Sequence, residues 1–134
     1  MNDFGHWRLP DGIQKIPDGV IGFVYLITCV KTNKKYIGKK LLENKKKRKP
    51  LKGRVNSRHY KVESGWKEYT GSSPKLNADI KKLGKENFQF DILEFFSSKL
   101  LLAYHETKTI IDHNALFSEN YYNEVCNIRI RCRK

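Results

Sequence analysis

The chain has 134 residues, enough for one domain whose core needs no disulfide or metal to hold it. Lys and Arg number 27 against 14 Asp and Glu, a formal charge of +13, which points to a polyanionic partner with nucleic acid first in line. A membrane surface is the rival partner, but the sequence has no apolar run of about 18 residues and no basic amphipathic helix of the interfacial kind. Met1 to Pro17 also lacks the charged-then-apolar order of a signal peptide, so a cytoplasmic location is expected.

In chain order, Pro10-Asp11-Gly12 and Pro17-Asp18-Gly19 are turn signals that leave little room for a regular element in residues 1–21. An arm laid over the domain is expected there, with Phe4 and Trp7 as candidate anchors and Arg8 as a weaker candidate DNA contact. Gly22 to Cys29 and Lys35 to Lys40 are rich in β-branched and aromatic residues around a polar Thr32-Asn33, which predicts a β-hairpin. Strand side chains alternate faces, so a register in which paired numbers sum to an odd value puts Tyr25 and Tyr36 on the same face. An even sum separates them, and the turn sequence does not choose.

Glu43 to Lys61 holds nine Lys or Arg against one Glu. Such a run is ordinarily a solvated, self-repelling loop; here it doubles as a segment able to close on phosphates. Ser72-Ser73-Pro74 provides an N-cap with proline at the first helical position, Leu76, Ile80 and Leu83 recur at helical spacing, and Gly84 ends the helix. Phe88 to Phe95 alternates as a third strand, and Ser98 caps a longer helix reaching about His113. The tail, alternating Ile128 and Ile130 with Arg129, Arg131 and Arg133, suits an edge strand or a basic tail. Cys29, Cys126 and Cys132 are odd in number and lack a Cys-x-x-Cys spacing, so they are read as reduced and structural.

Glu106 carries the most chemistry. On the second helix its same-face neighbours are Leu102, Ala103 and Ile110, so a carboxylate sits on the apolar stripe. An ionised group there costs several kcal/mol unless a cation or strong donors face it. A salt bridge to Lys or Arg is one answer; a hard divalent ion shared with water and phosphate oxygens is the other. The two tyrosines precede Lys39 and Lys40, whose charge would favour the phenolate that a tyrosine general base requires.

Phe23-Val24-Tyr25, eleven residues ahead of Tyr36-Ile37-Gly38, resembles the paired signature of GIY-YIG nucleases. Tyr69-Thr70-Gly71-Ser72-Ser73, Gly84-Lys85-Glu86-Asn87-Phe88, Glu106 and Tyr122-Asn123 follow in the family's order, so the resemblance spans about residues 22–123. It implies an α+β fold, a three-stranded antiparallel sheet flanked by helices, as a domain over 22–134 with an arm at 1–21 and a basic insertion at 41–66. It also implies metal-dependent DNA endonuclease chemistry with Mg²⁺ or Mn²⁺ and DNA as partner. Tyr36 matches the tyrosine that activates water, Tyr25 one that orients phosphate or base, Glu106 the metal ligand and Asn123 a supporting polar residue. Lys40 is expected to steady the phosphate. The family arginine has no clean match among Arg48, Arg54 and Arg58; Arg58 is favoured, with His59 beside it. Lys39, Lys46, Arg48, Lys52, Arg54 and His59 are the expected DNA contacts.

The first triplet departs from Gly-Ile-Tyr at two of three places while keeping the tyrosine. Relatives of this size occur in phages and mobile elements, where the compartment would be the host cytoplasm. Homing, restriction and DNA degradation stay open, as do nicking against double-strand cutting, sequence preference and a dimer on DNA. The competing functions are a non-catalytic basic nucleic-acid-binding protein, an adaptor, and an HNH-type nuclease, for which Asp112-His113 and Asn120 lack a later histidine.

Overall fold

The computed structural model describes residues 4–48, 53, 58–126 and 131. Trp7–Arg8 form a short strand, β1, inside the segment where the turn signals predict an irregular arm. Gly22–Cys29 (β2) and Lys35–Leu41 (β3) make the expected hairpin, with Asn33 at φ 60° in its turn. Glu43–Arg48 (β4) and Arg58–Glu63 (β5) then pair antiparallel, so the basic run is in large part a β-ribbon where its charge predicts a loop. Strands made mostly of Lys and Arg leave no apolar alternation in the sequence to detect.

Helix α1 (Pro74–Leu83) begins where the sequence places it: Ser73 caps it by accepting a hydrogen bond from Leu76 N at 3.3 Å, and Gly84 at φ 95° ends it. Strand β6 (Phe88–Phe96) and helix α2 (Lys99–Asp112), capped by Ser98, complete the fold. Strand order is β1-β6-β2-β3, with β1 parallel to β6 and the other pairs antiparallel. The α+β class and the antiparallel β6-β2-β3 core agree with the sequence; β1 adds a fourth, parallel edge and makes the sheet mixed.

The β2–β3 partners sum to an odd number, as in Tyr25 opposite Gly38 and Ile27 opposite Tyr36, so both tyrosines project to one face. That face carries Phe23, Tyr25, Ile27, Phe88, Phe90 and Ile92 with Trp7, Trp66 and Leu76. The other holds Val24, Ile37, Phe96, Leu102 and Ile110 against α2. A register shift in β6 opposite Val24 and Tyr25 reverses its alternation, so Phe95 packs with the first cluster and Phe96 with the second. Trp7 is buried and donates Nε1–H to the Trp66 carbonyl at 2.6 Å, while Phe4 packs on the same cluster. Arg8 grips both oxygens of Asp91, at 2.6 and 2.9 Å, which gives it a partner within the fold.

Candidate active site

Strand β3 is an edge strand, and its outward backbone groups organise the site. Even-numbered residues of β3 pair inward to β2; the outward N–H groups of Lys35, Ile37 and Lys39 are each met by a different part of the chain. Lys35 N donates to the Asn120 carbonyl at 2.9 Å, and its own carbonyl accepts from Tyr122 N at 2.8 Å. Ile37 N donates to Asn123 Oδ1 at 3.0 Å, and Asn123 Nδ2 donates back to the Ile37 carbonyl at 2.8 Å. Lys39 N–H points at the Glu106 carboxylate. The side chains of Asn123 and Glu106 thus take the place of a further strand, a satisfactory end for peptide groups that burial would otherwise leave unpaired.

Beside this edge lies a cleft of about 430 Å³ whose walls include Tyr36, Lys39, Ser72, Glu106, Tyr122 and Asn123. Tyr36 enters from the α1 side of the sheet and Glu106 from the α2 side; they meet because, among the described residues, no named strand pairs beyond β3. Lys75 near the start of α1 and Glu124 form an ion pair, and Glu124 also lines the cleft.

Glu106 sits where the sequence places it, between buried Leu102 and Ile110. Its side chain is 21% exposed, and Lys39 Nζ, itself 44% exposed, stands 3.9 Å from Oε1. Burial raises the carboxyl above its ordinary value, and the Lys39 charge and backbone N–H only partly oppose this. A carboxylate held in a partly buried wall, with Lys39 Nζ at 3.9 Å and its proton affinity still raised, is incompletely compensated and open to a stronger cation.

The two tyrosines differ. Tyr25 is 1% exposed, and burial, with neighbouring Tyr36, Tyr69 and Glu106, holds its phenol well above the ordinary value, so it is a neutral hydroxyl and no phenolate. Gly38 makes room for it: a Cβ there would stand 2.3 Å from the Tyr25 hydroxyl. Tyr36 is half-buried, its ring 6.2 Å from that of Tyr25 and its hydroxyl 3.2 Å from Ser72 Oγ.

Of the remaining sequence-predicted residues, Asn123 is buried at the β3 edge as described, and Lys39 lines the cleft. Lys40 projects to the opposite face, its Nζ 4.3 Å from the Tyr69 ring centre. Lys46 and Arg48 lie in β4, and the favoured Arg58 and His59 lie in β5; α1 contains no arginine. Lys52 and Arg54 lie outside the described residues. Among the described residues no three His, Cys, Asp or Glu side chains gather as a metal cage. Glu106 alone suits a Mg²⁺-type ion, which keeps most of its waters and is completed by substrate phosphate oxygens.

Tyr69, Ser72 and Ser73 were missed as site residues. They belong to a turn read in the sequence for its place in the family's order and as the approach to a helix, with no site role; the signal was Gly71, whose left-handed backbone at φ +85° lets the turn press on Tyr36 and Tyr25.

No curated protein and no solved structure matches the chain. A family model described as "Putative endonuclease segE, GIY-YIG domain" matches residues 7–126. That match takes in β1, the tyrosine hairpin, the basic ribbon, α1, α2 with Glu106, and Asn123; the chain belongs to the GIY-YIG endonuclease superfamily.

Proposed function

We propose that the chain is a metal-dependent endonuclease that hydrolyses DNA phosphodiester bonds at the cleft beside β3. The observation that carries this reading is the convergence of Tyr36, Lys39 and Glu106 on one cleft at an open sheet edge. Glu106 would hold Mg²⁺ or Mn²⁺, and that ion when bound supplies positive charge to a phosphate oxygen and to water.

The chain's own groups do the rest. Tyr36, on the cleft wall, presents its phenolic oxygen to the attacking water. Lys39, loosely paired with Glu106, is free to swing its charge onto the phosphate as Glu106 takes the ion, which helps neutralise the charge that develops in the transition state. Tyr25 stays neutral and supports the Tyr36 ring from beneath. Asn123 fixes the backbone at Ile37, between Tyr36 and Gly38, and so sets where the phenol stands. Lys46, Arg48, Arg58 and His59 on the ribbon, with Lys52 and Arg54, are proposed to grip the DNA backbone and bring phosphates to the cleft. Within this reading DNA is the partner and the cell cytoplasm the compartment; no helix among the described residues is long and apolar enough to cross a membrane.

Incubation of supercoiled plasmid with Mg²⁺ tests it. Wild type should give nicked or linear product, and Glu106→Ala should give none while still binding DNA. Binding should weaken with salt at a log–log slope of about −0.9 per phosphate neutralised. Equal cutting by both proteins would end the assignment. Tight binding with no cutting by either, and no Glu106-dependent metal binding, would favour a non-catalytic nucleic-acid-binding protein.

A further inference from the structure

The turn between the ribbon and α1 reaches the tyrosine pair at hydrogen-bonding distance. Gly71 is pressed so close that a Cβ there would lie 3.0 Å from Tyr36 Cε2 and 3.3 Å from the Tyr25 hydroxyl. The next residue, Ser72, places Oγ 3.2 Å from the Tyr36 hydroxyl. Ser73 then starts α1 as its N-cap, so the position of Ser72 is set on one side by a glycine turn and on the other by a capped helix. Both are rigid supports for a short side chain.

Either hydroxyl can donate in this bond, and in both senses it ties the phenolic oxygen of Tyr36 to the turn.

We propose that Ser72 is a positioning residue: its hydrogen bond holds the Tyr36 hydroxyl in one orientation at the cleft, where it meets the attacking water. This rests on the nuclease reading above. Without Ser72 the hydroxyl turns freely about its C–O bond and meets the water in several orientations.

Ser72→Ala, Ser72→Thr and Tyr36→Phe, alone and combined, test it in plasmid cleavage with Mg²⁺. General-base assistance is worth roughly 10²–10⁴-fold, and loss of its orientation alone should lower kcat by about ten-fold in Ser72→Ala. KM, DNA affinity and the thermal midpoint should stay at wild-type values. Ser72 is exposed, so the extra methyl of Ser72→Thr has room and most of the rate should return. In a Tyr36→Phe background Ser72→Ala should cost nothing further, because the two residues act as one unit. Wild-type cutting by Ser72→Ala, a threonine variant as slow as the alanine one, or an equal loss with and without the Tyr36 hydroxyl would each overturn the proposal while leaving the nuclease assignment intact. Failure of that assignment looks different: wild type and Glu106→Ala would be equally inert, and this proposal would fall with it.

Discussion

The two sides of β3 were built by different rules. On the α1 side Tyr36, Gly38 and Lys40 alternate with inward-facing neighbours, and the space is closed by aromatic rings, hydroxyls and a glycine turn. On the α2 side Ile37 and Lys39 face an aliphatic cluster in which one carboxylate is set. The first side is a nearly complete hydrogen-bonded aromatic core; the second is a core with an incompletely compensated charge at its rim. A site that needs both a phenol held still and a carboxylate left wanting can be made only where two such surfaces share an edge.

Glu106→Gln gives the largest effect and separates the two properties of the carboxylate. Loss of several kcal/mol of charge stabilisation should slow cleavage by roughly a thousand-fold. Stability should move the other way. Because burial raises its folded-state pKa, Glu106 binds its proton more tightly in the fold than in the unfolded chain. Its contribution is therefore favourable below the unfolded-chain value and is lost as pH rises through the folded one. At neutral pH the ionised side chain is a net cost, so the glutamine variant should melt at a higher temperature than wild type, with the gap closing in acid. A lower midpoint at pH 7 would show that Lys39 fully compensates the charge.

Asn123→Ala attacks the shared edge. It leaves both the N–H and the carbonyl of Ile37 without partners in a buried place, at about 1–3 kcal/mol for each group. Denaturant unfolding should show a loss of that order, and cleavage should fall as well, since Tyr36 loses its adjacent anchor. A stable variant that cuts normally would mean that the edge does not position the phenol.

Gly38→Ala strikes only the aromatic side. Its methyl would collide with the Tyr25 ring, whose nearest atoms are the hydroxyl at 2.3 Å and Cζ at 2.5 Å, and displacing a fully buried ring should cost about 1–3 kcal/mol. The α2 side should be unaffected, so Glu106-dependent metal binding should persist while cleavage drops.

His6 yields the smallest effect, confined to acid. Its ring stacks 3.8 Å from that of Phe90, Nε2 lies 2.9 Å from the Tyr69 carbonyl and therefore carries the proton, and burial with nearby Lys85 lowers its pKa to about 4. A histidine lowered in the fold takes up its proton more readily when unfolded, so stability declines as pH falls from about 6.5 toward 4. Unfolding midpoints measured across that window should show the decline, and His6→Leu should flatten it.

Much of this architecture was legible in the residues. Ser73 with Pro74, Gly84 and Ser98 marked the helix ends because capping is local chemistry that acts within three or four residues. Their β-branched and aromatic content found β2 and β3, alternation found most of β6, and the lone carboxylate on an apolar stripe singled out Glu106 before any neighbour was known. The β4–β5 ribbon was hidden because a lysine-rich run carries no apolar alternation to detect. That Lys39 reaches Glu106 while Lys40 reaches the Tyr69 ring was not legible, because adjacent strand residues point to opposite faces and the partners on each face are set elsewhere. Ser72 and Tyr69 were invisible as site residues because their partners lie 36 and 44 positions away in the chain.

The sequence by itself determined the local elements, the tyrosine pair, the acidic residue on α2 and the excess of positive charge, since each depends on a residue's nature or its near neighbours. The tertiary structure decided the rest. It chose the odd register that puts Tyr25 and Tyr36 on one face, and it left β3 at the sheet edge so that Asn123 and Glu106 could meet its backbone. Both outcomes come from pairing between distant segments, where the free energy belongs to the contact and to neither segment alone.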